Sequence, residues 1–484
     1  MILQRLLFTA FVLFTVTNTY AQEDLPDDYL SKEFHEGRRE ALRSLMPDSS
    51  VIAVFAYPTR TFSNDVDYFY HQNPDLYYFT GYKEPHALLF IFKEEQTAAD
   101  GEKFKEVFFV QKRNAQAEQW TGKRLGVEGV KNKLGIKNVF NGEDFKGFNI
   151  DFSHFKKIIF DGFPADVADH RRDESDLYDL IQQFKQKANI PEKVIAGSQF
   201  DNRSYYNLTA TLREIKTPEE LVLLRKAVEI SCMGQNEVMK AIHPGMSELE
   251  IQGLHEFVHK KYGAEEVGYG SIVGAGENGC TLHYVENSKT KVGTSMILMD
   301  VGAEYHGYTA DVTRTIPADG KFSSEERAIY QLVYDAQEAA FKLLKNGTRW
   351  ADAGIAAKNI IATGLLKLGI ITDKKDVNKY YPHGLSHHIG LDVHDRGISS
   401  TLKKGMVITI EPGIYIPENS KCDPKWWGIA VRIEDDVLIR ENDYEILSAF
   451  APRKIEDIEK MIAEKSALDD FKLPALKSAD KKAF

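Results

Sequence analysis

SMILMDVGAEYHGYTADVTRTI, residues 295 to 316, is the stretch on which the fold turns. Ile297, Met299 and Val301 fall on one side of an extended chain, with Met296, Leu298 and Asp300 on the other, which predicts a strand. Glu304-Tyr305-His306-Gly307 reads as a turn that sends the chain back through Thr309 to Ile316, completing a hairpin. Asp300 and Asp311 lie equally far from that turn. In a regular ladder they face each other with Cβ atoms roughly 5 Å apart, where two like charges destabilise the pair unless a cation lies between them. A slip or bulge that turns one Asp to solvent is the alternative that this stretch leaves open.

Downstream, His383 to Asp395 (HGLSHHIGLDVHD) holds four of the chain's 14 histidines. Such density points to metal ligation or proton transfer rather than capping, and Gly384 and Gly390 predict an irregular loop rather than a helix. Met406 to Ile410 reads as a strand that ends in Glu411-Pro412-Gly413. Val431 to Val437 alternates, which puts Arg432, Glu434 and Asp436 on one face. Asp300, Asp311, Glu411 and Glu434 bring four negative charges and His387 one imidazole, which balances two divalent cations. Oxygen-rich ligation with one nitrogen suits Mn²⁺ best, with Co²⁺ and Zn²⁺ as alternatives. Two such ions about 3.5 to 4 Å apart hold a hydroxide and polarise a carbonyl, which is hydrolytic chemistry.

Residues 1–21 read as a cleavable secretory signal: one positive charge at Arg5, an apolar run from Leu6 to Val16, and small residues at Thr19 and Ala21. That run is shorter than the ~20 residues a bilayer span needs, and no later segment is long enough. The expected product is exported, secreted or periplasmic. Its composition, 43% hydrophobic and 27% charged, fits globular domains. A formal charge of −11 argues against nucleic acid as a partner. Cys232, Cys280 and Cys422 are too few for a disulfide scaffold.

The remainder divides into an amino-terminal α/β domain (22–205), a larger α+β domain (206–464) and a Lys-rich tail (465–484). In the first, the apolar runs Val51 to Tyr57, Ala87 to Phe92, Val107 to Val110 and Lys157 to Phe160 predict strands between helical stretches. A polar, irregular stretch around 185–216 marks the border. Thr217-Pro218-Glu219-Glu220 then opens a helix to about Ile242, and the same S/T-x-x-E signature predicts helices near 248–261 and 324–345. Gly245 and Gly347 follow the long helices in similar contexts, a weak sign of a repeated helix pair. The rest of this half reads as strands, giving helices packed on a curved, mainly antiparallel sheet.

These motifs resemble the Xaa-Pro aminopeptidase (aminopeptidase P) branch of the pita-bread metallopeptidases. The resemblance rests on Gly274 to Tyr284, on Asp300 and Asp311, on His383 to Asp395, on Glu411-Pro412-Gly413-Ile414-Tyr415, and on Arg432 to Asp436. In the first half, Asp67 to Gly81 carries it. It implies a pita-bread fold in the second domain and two metal ions. Asp300 would chelate one, His387 and Glu411 the other, and Asp311 and Glu434 would bridge both. A bridging hydroxide would attack the Xaa-Pro carbonyl, with Glu411 shuttling a proton to the leaving nitrogen. His283, His383 and His394 match positions that line the substrate site, and Tyr415 and Arg432 match positions that orient the acids. Asp65 and Trp120 match residues that family members present to a neighbouring subunit's site, so a homo-oligomer, dimer or tetramer, is expected. The implied substrates are proline-containing peptides. The segment Asp395 to Lys404 is shorter than in related bacterial enzymes and lacks an Arg that some use to limit the pocket. Prolidase shares every ligand and is the nearest alternative; a non-catalytic pita-bread binding protein is a remote one.

Overall fold

A computed structural model describes residues 26–98, 101–169, 175–192 and 198–468. The expected signal segment, and most of the Lys-rich tail, lie outside the described residues. All four apolar runs of the first half form strands of one five-stranded sheet. Its order is Val139–Asn141, Lys103–Val110, Leu88–Thr97, Ser50–Phe55, Lys157–Ile159. The centre is antiparallel and each flank adds a parallel pair. Ser50–Phe55 is buried at every position, because both sheet faces are covered. Val51, Ala53 and Phe55 join a phenylalanine-rich layer with Phe90, Phe109 and Phe184. Ile52 and Val54 pack on the opposite side against Leu42 and Tyr78.

The polar stretch 185–216 is not irregular as expected. Asn202–Arg213 is a helix, capped by Asp201 and burying Tyr205, Thr209, Ala210 and Arg213. Its polar residues disguise a helix whose buried face is held by charge: Arg213 Nη1 lies 2.8 Å from Asp75 Oδ1. Arg213 Nη2 lies 2.7 Å from Asp392 and 2.5 Å from Asp395. The helix thus ties the first domain to the histidine-rich loop of the second.

The second half opens with helix Pro218–Ala241, whose Thr217 and Glu220 form a reciprocal capping box. Ser247 caps Glu248–Lys261, and Ser323 with Glu326 caps Ser324–Phe341. That third helix ends earlier than expected. A fourth, Trp350–Lys367, stands where strands were expected; its cap position Arg349 accepts no backbone N–H and instead pairs with Asp352, so the signature that marked the others is missing. It packs on Ser324–Phe341 as Glu248–Lys261 packs on Pro218–Ala241, which gives the repeated helix pair physical content. The helices cover four short sheets in which every pairing is antiparallel. No described helix is long and apolar enough to cross a membrane, and the three cysteines are free.

The decisive hairpin differs from expectation by one residue at its turn. His306 and Gly307, with φ of 50° and 85°, form a two-residue loop of the kind that matches strand twist. Asp300 therefore pairs with Thr313 and Val301 with Val312. Asp311 falls two residues beyond Asp300's partner, a diagonal neighbour on the same face. A turn displaced by one residue shifts the partner by two, so parity, and hence the face, is kept. The turn itself is strapped by residues preceding the first helix. His306 Nε2 lies 2.7 Å from Asp28 and its Nδ1 2.7 Å from Glu265, while Tyr29 stacks on the ring at 3.6 Å.

Candidate metal centre and active site

Strand Met296–Val301 delivers Asp300, and Asp311 stands immediately before the neighbouring strand Val312–Pro317. Between them stands Tyr269, whose hydroxyl lies 2.5 Å from Asp300 Oδ1 and 2.6 Å from Asp311 Oδ1. Arg432 Nη2 lies 2.5 Å from Asp300 Oδ2 and its Nη1 donates to Tyr415 at 2.9 Å. Tyr415 in turn meets His383 Nε2 at 2.8 Å. Arg432 and Tyr415 thus orient an acid on one side and an imidazole on the other.

The loop carrying His383, His387 and His394 is irregular, as its glycines indicate. It is stitched to strand Val407–Ile410: Thr409 N–H donates to His387 O and Glu411 N–H to Leu385 O, both at 2.9 Å. His387 Nδ1 sits 3.0 Å from the His388 carbonyl; donation there leaves Nε2 free as a ligand atom. That atom lies 3.5 Å from Asp311 and 3.5 Å from Glu411. The expected strand 431–437 breaks at Ile433 and Glu434, which separate Ile429–Arg432 from Asp435–Ile439. Buried Arg314 holds the break, bonding the Glu434 carbonyl at 2.6 Å and Asp435 at 2.7 Å. Glu434 is thereby turned inward, where its Oε2 accepts from Thr313 at 2.6 Å.

Asp311, His387 and Glu434 offer ligand atoms within 4.8 Å of one another, and Glu411 and Asp300 border the same space. Burial, aided by the Asp300 charge, pushes the Asp311 carboxyl up. Burial, with Asp311 and Glu411 beside it, raises Glu434 far above the usual carboxylate range. Burial also lifts Glu411 to about 7 against the pull of His387 and Arg432. It works against a charged His387 too, yet Asp311 outweighs it and holds the imidazole up at about 9. Asp300 goes the other way: burial would raise it, but Arg432 keeps it low. Acids this crowded and this dry fit divalent cations, which would offset both their repulsion and their desolvation. Two ions suit four carboxylates and one imidazole.

Around this centre, the His394 ring stands 4.3 Å from that of His387. His283 is exposed and near enough to bear on the charge of both His383 and His394. Trp120, 86% exposed, and Asp65, on the exposed hairpin Thr61–Ser63 and Val66–Asp67, stand on the surface; neither is among the residues gathered here. Sequence reasoning missed Tyr269, Thr313 and Arg314. Tyr269, an aromatic between Gly268 and Gly270 just before a strand, was the one with a visible signal.

Residues 35–154 match the aminopeptidase P N-terminal domain and residues 222–441 match metallopeptidase family M24. The chain belongs to metallopeptidase family M24, in the two-domain form that carries the aminopeptidase P N-terminal domain. It is 36% identical over 462 residues to the Xaa-Pro aminopeptidase of Escherichia coli K12, covering 90% of this chain and 98% of that one. It superposes on aminopeptidase P from E. coli with the inhibitor Pro-Leu at a TM-score of 0.78 and 33% identity, covering 90% of this chain and 98% of that one. The zinc-substituted E. coli aminopeptidase P in complex with product gives 0.77 at the same identity and coverage.

Proposed function

We propose that this chain releases the first residue of peptides in which proline stands second, using two divalent ions, with manganese favoured by the oxygen-rich donor set. The convergence of Asp300, Asp311, His387, Glu411 and Glu434 in one buried cleft carries the reading, and the relatives named for this activity support it. Asp300 would hold one ion, His387 and Glu411 the other, and Asp311 and Glu434 both. Bound there, the ions supply an activated water and polarise the scissile carbonyl. Glu411, at a strand end beside His387, passes a proton to the departing imino nitrogen. His283, His383 and His394 line the substrate site, and His383 and His394 donate to the carbonyl oxygen as it gains charge. Arg432 fixes Asp300, and through Tyr415 it fixes His383. The exported location follows from residues 1–21, and a homo-oligomer that brings Asp65 and Trp120 to a neighbour's site completes the reading.

The test is metal content together with hydrolysis of matched Xaa-Pro dipeptides and Xaa-Pro-Yaa tripeptides. Release of Xaa from the tripeptide is expected. Turnover confined to dipeptides would instead identify a prolidase.

A further inference from the structure

His71 sits on the segment that leads from the exposed hairpin into helix Pro74–Thr80, and its Nε2 lies 2.8 Å from Glu304 Oε2 in the other domain. Glu304, on strand Ala303–Tyr305 between Asp300 and Asp311, is buried, whereas the His71 side chain is 46% exposed. The pair divides two cavities. One, of about 210 Å³, is bordered by His394, Asp392, Thr309 and Gly268. The other, of about 60 Å³, is lined by Phe69, Tyr70 and Tyr77 and by the ion pair of Lys83 with Glu265.

The larger cavity adjoins the metal centre on two sides. His394 stands against His387, and Gly268 precedes Tyr269, the donor to Asp300 and Asp311. A Cβ at position 268 would lie 1.6 Å from Thr309 Oγ1, so no side chain can grow across that wall. We infer that this cavity receives the side chain of the substrate's first residue, and that Glu304 gives it a preference for lysine or arginine there. The inference rests on the aminopeptidase reading above.

The charge on the walls carries it. Glu304 and Asp392 both face the cavity. The cation beside Asp392, Arg213, is already shared with Asp75 and Asp395. Glu304's partner is an imidazole on a half-exposed side chain, the weakest and most easily displaced cation of the group. A substrate ammonium or guanidinium replaces His71 on Glu304, exchanging one charge-assisted hydrogen bond for another. With His71 swung aside, the aromatic cavity beyond gives a long side chain room to continue.

The experiment compares kcat/KM of the metal-loaded protein for Arg-Pro-Pro, Lys-Pro-Pro and Leu-Pro-Pro, in wild type, Glu304→Gln and His71→Ala. The wild type is expected to favour the basic peptides by about tenfold, the scale of one hydrogen bond to a charged group. Glu304→Gln should bring that ratio near one, and His71→Ala, which frees Glu304, should raise it. If Glu304→Gln does not fold, a ratio that stays level or drops in His71→Ala overturns the inference. Equal turnover of all three peptides by the wild type, or a uniform loss in both variants, also overturns it and leaves Xaa-Pro hydrolysis standing. No turnover of any Xaa-Pro peptide by the loaded wild type overturns both readings.

Discussion

Asp300 and Asp311 meet diagonally across one antiparallel ladder and are joined by a single phenol, that of Tyr269, within 2.6 Å of both. One hydroxyl proton serves one carboxylate at a time, so the pair is under-donated until a cation arrives. Tyr269→Phe should therefore cost about 1–3 kcal/mol of stability in chelator-treated protein and less in metal-loaded protein. Calorimetry of the two forms checks this. An equal loss in both would show that the phenol acts only through packing.

Glu434 gains least from its surroundings, because burial and three neighbouring carboxylates all oppose its charge. Glu434→Ala should relieve that strain, leave the folded chain intact by circular dichroism, and cut turnover by roughly 10³-fold, about 4 kcal/mol of transition-state stabilisation. Chelation of the wild type should abolish activity and lower its melting temperature, since a ligand that binds only the folded state stabilises it. Near-native turnover by the variant would refute the two-ion assignment.

The hairpin shows how much was legible. Its strands, its acids and their common face follow from the apolar pattern. The register does not, because it depends on whether Tyr305-His306 or His306-Gly307 takes positive φ, and only Gly307 advertises that tolerance. Helices with an S/T-x-x-E start were visible, whereas Trp350–Lys367 was not. The five ligand candidates could be found because ligand chemistry selects residue type. Arg314 and Arg213 could not, because a buried arginine is written in sequence like a surface one.

Arg213 offers the sharpest stability test. It is 1% exposed and serves three carboxylates from both domains. Arg213→Met should cost about 3–5 kcal/mol by stranding buried charge. Arg213→Lys should recover only part of that, since an ammonium lacks the planar fork. Urea titration measures both. A loss below about 1 kcal/mol for Met would mean that the acids simply take up protons.

Acid should weaken the fold through buried histidines that are not among the ligand candidates. Burial lowers His35 and His259 from 6.5 to about 4, and His255 further. His255 and His259 have no hydrogen-bond partner among the described residues. The unfolded chain takes up these protons first. Stability is thus full above pH 6.5 and is lost as pH falls toward 4, at ~1.4 kcal/mol per pH unit for each histidine. Denaturation midpoints of His255→Leu/His259→Leu should show a shallower fall over that range than the wild type. An unchanged slope would place the acid sensitivity elsewhere.

The strap of Asp28 and Tyr29 on His306 has a consequence for where the catalytic unit begins. These residues stand ahead of the first helix, Lys32–Leu45, yet they grip the turn of the hairpin that brings Asp300 and Asp311 together. A shortened chain starting at helix Lys32–Leu45 would still hold both matched domains, residues 35–154 and 222–441, and yet lack the clasp on this hairpin. Linear order and functional membership part company here: the enzyme's far half is fastened by residues that stand ahead of its first described helix.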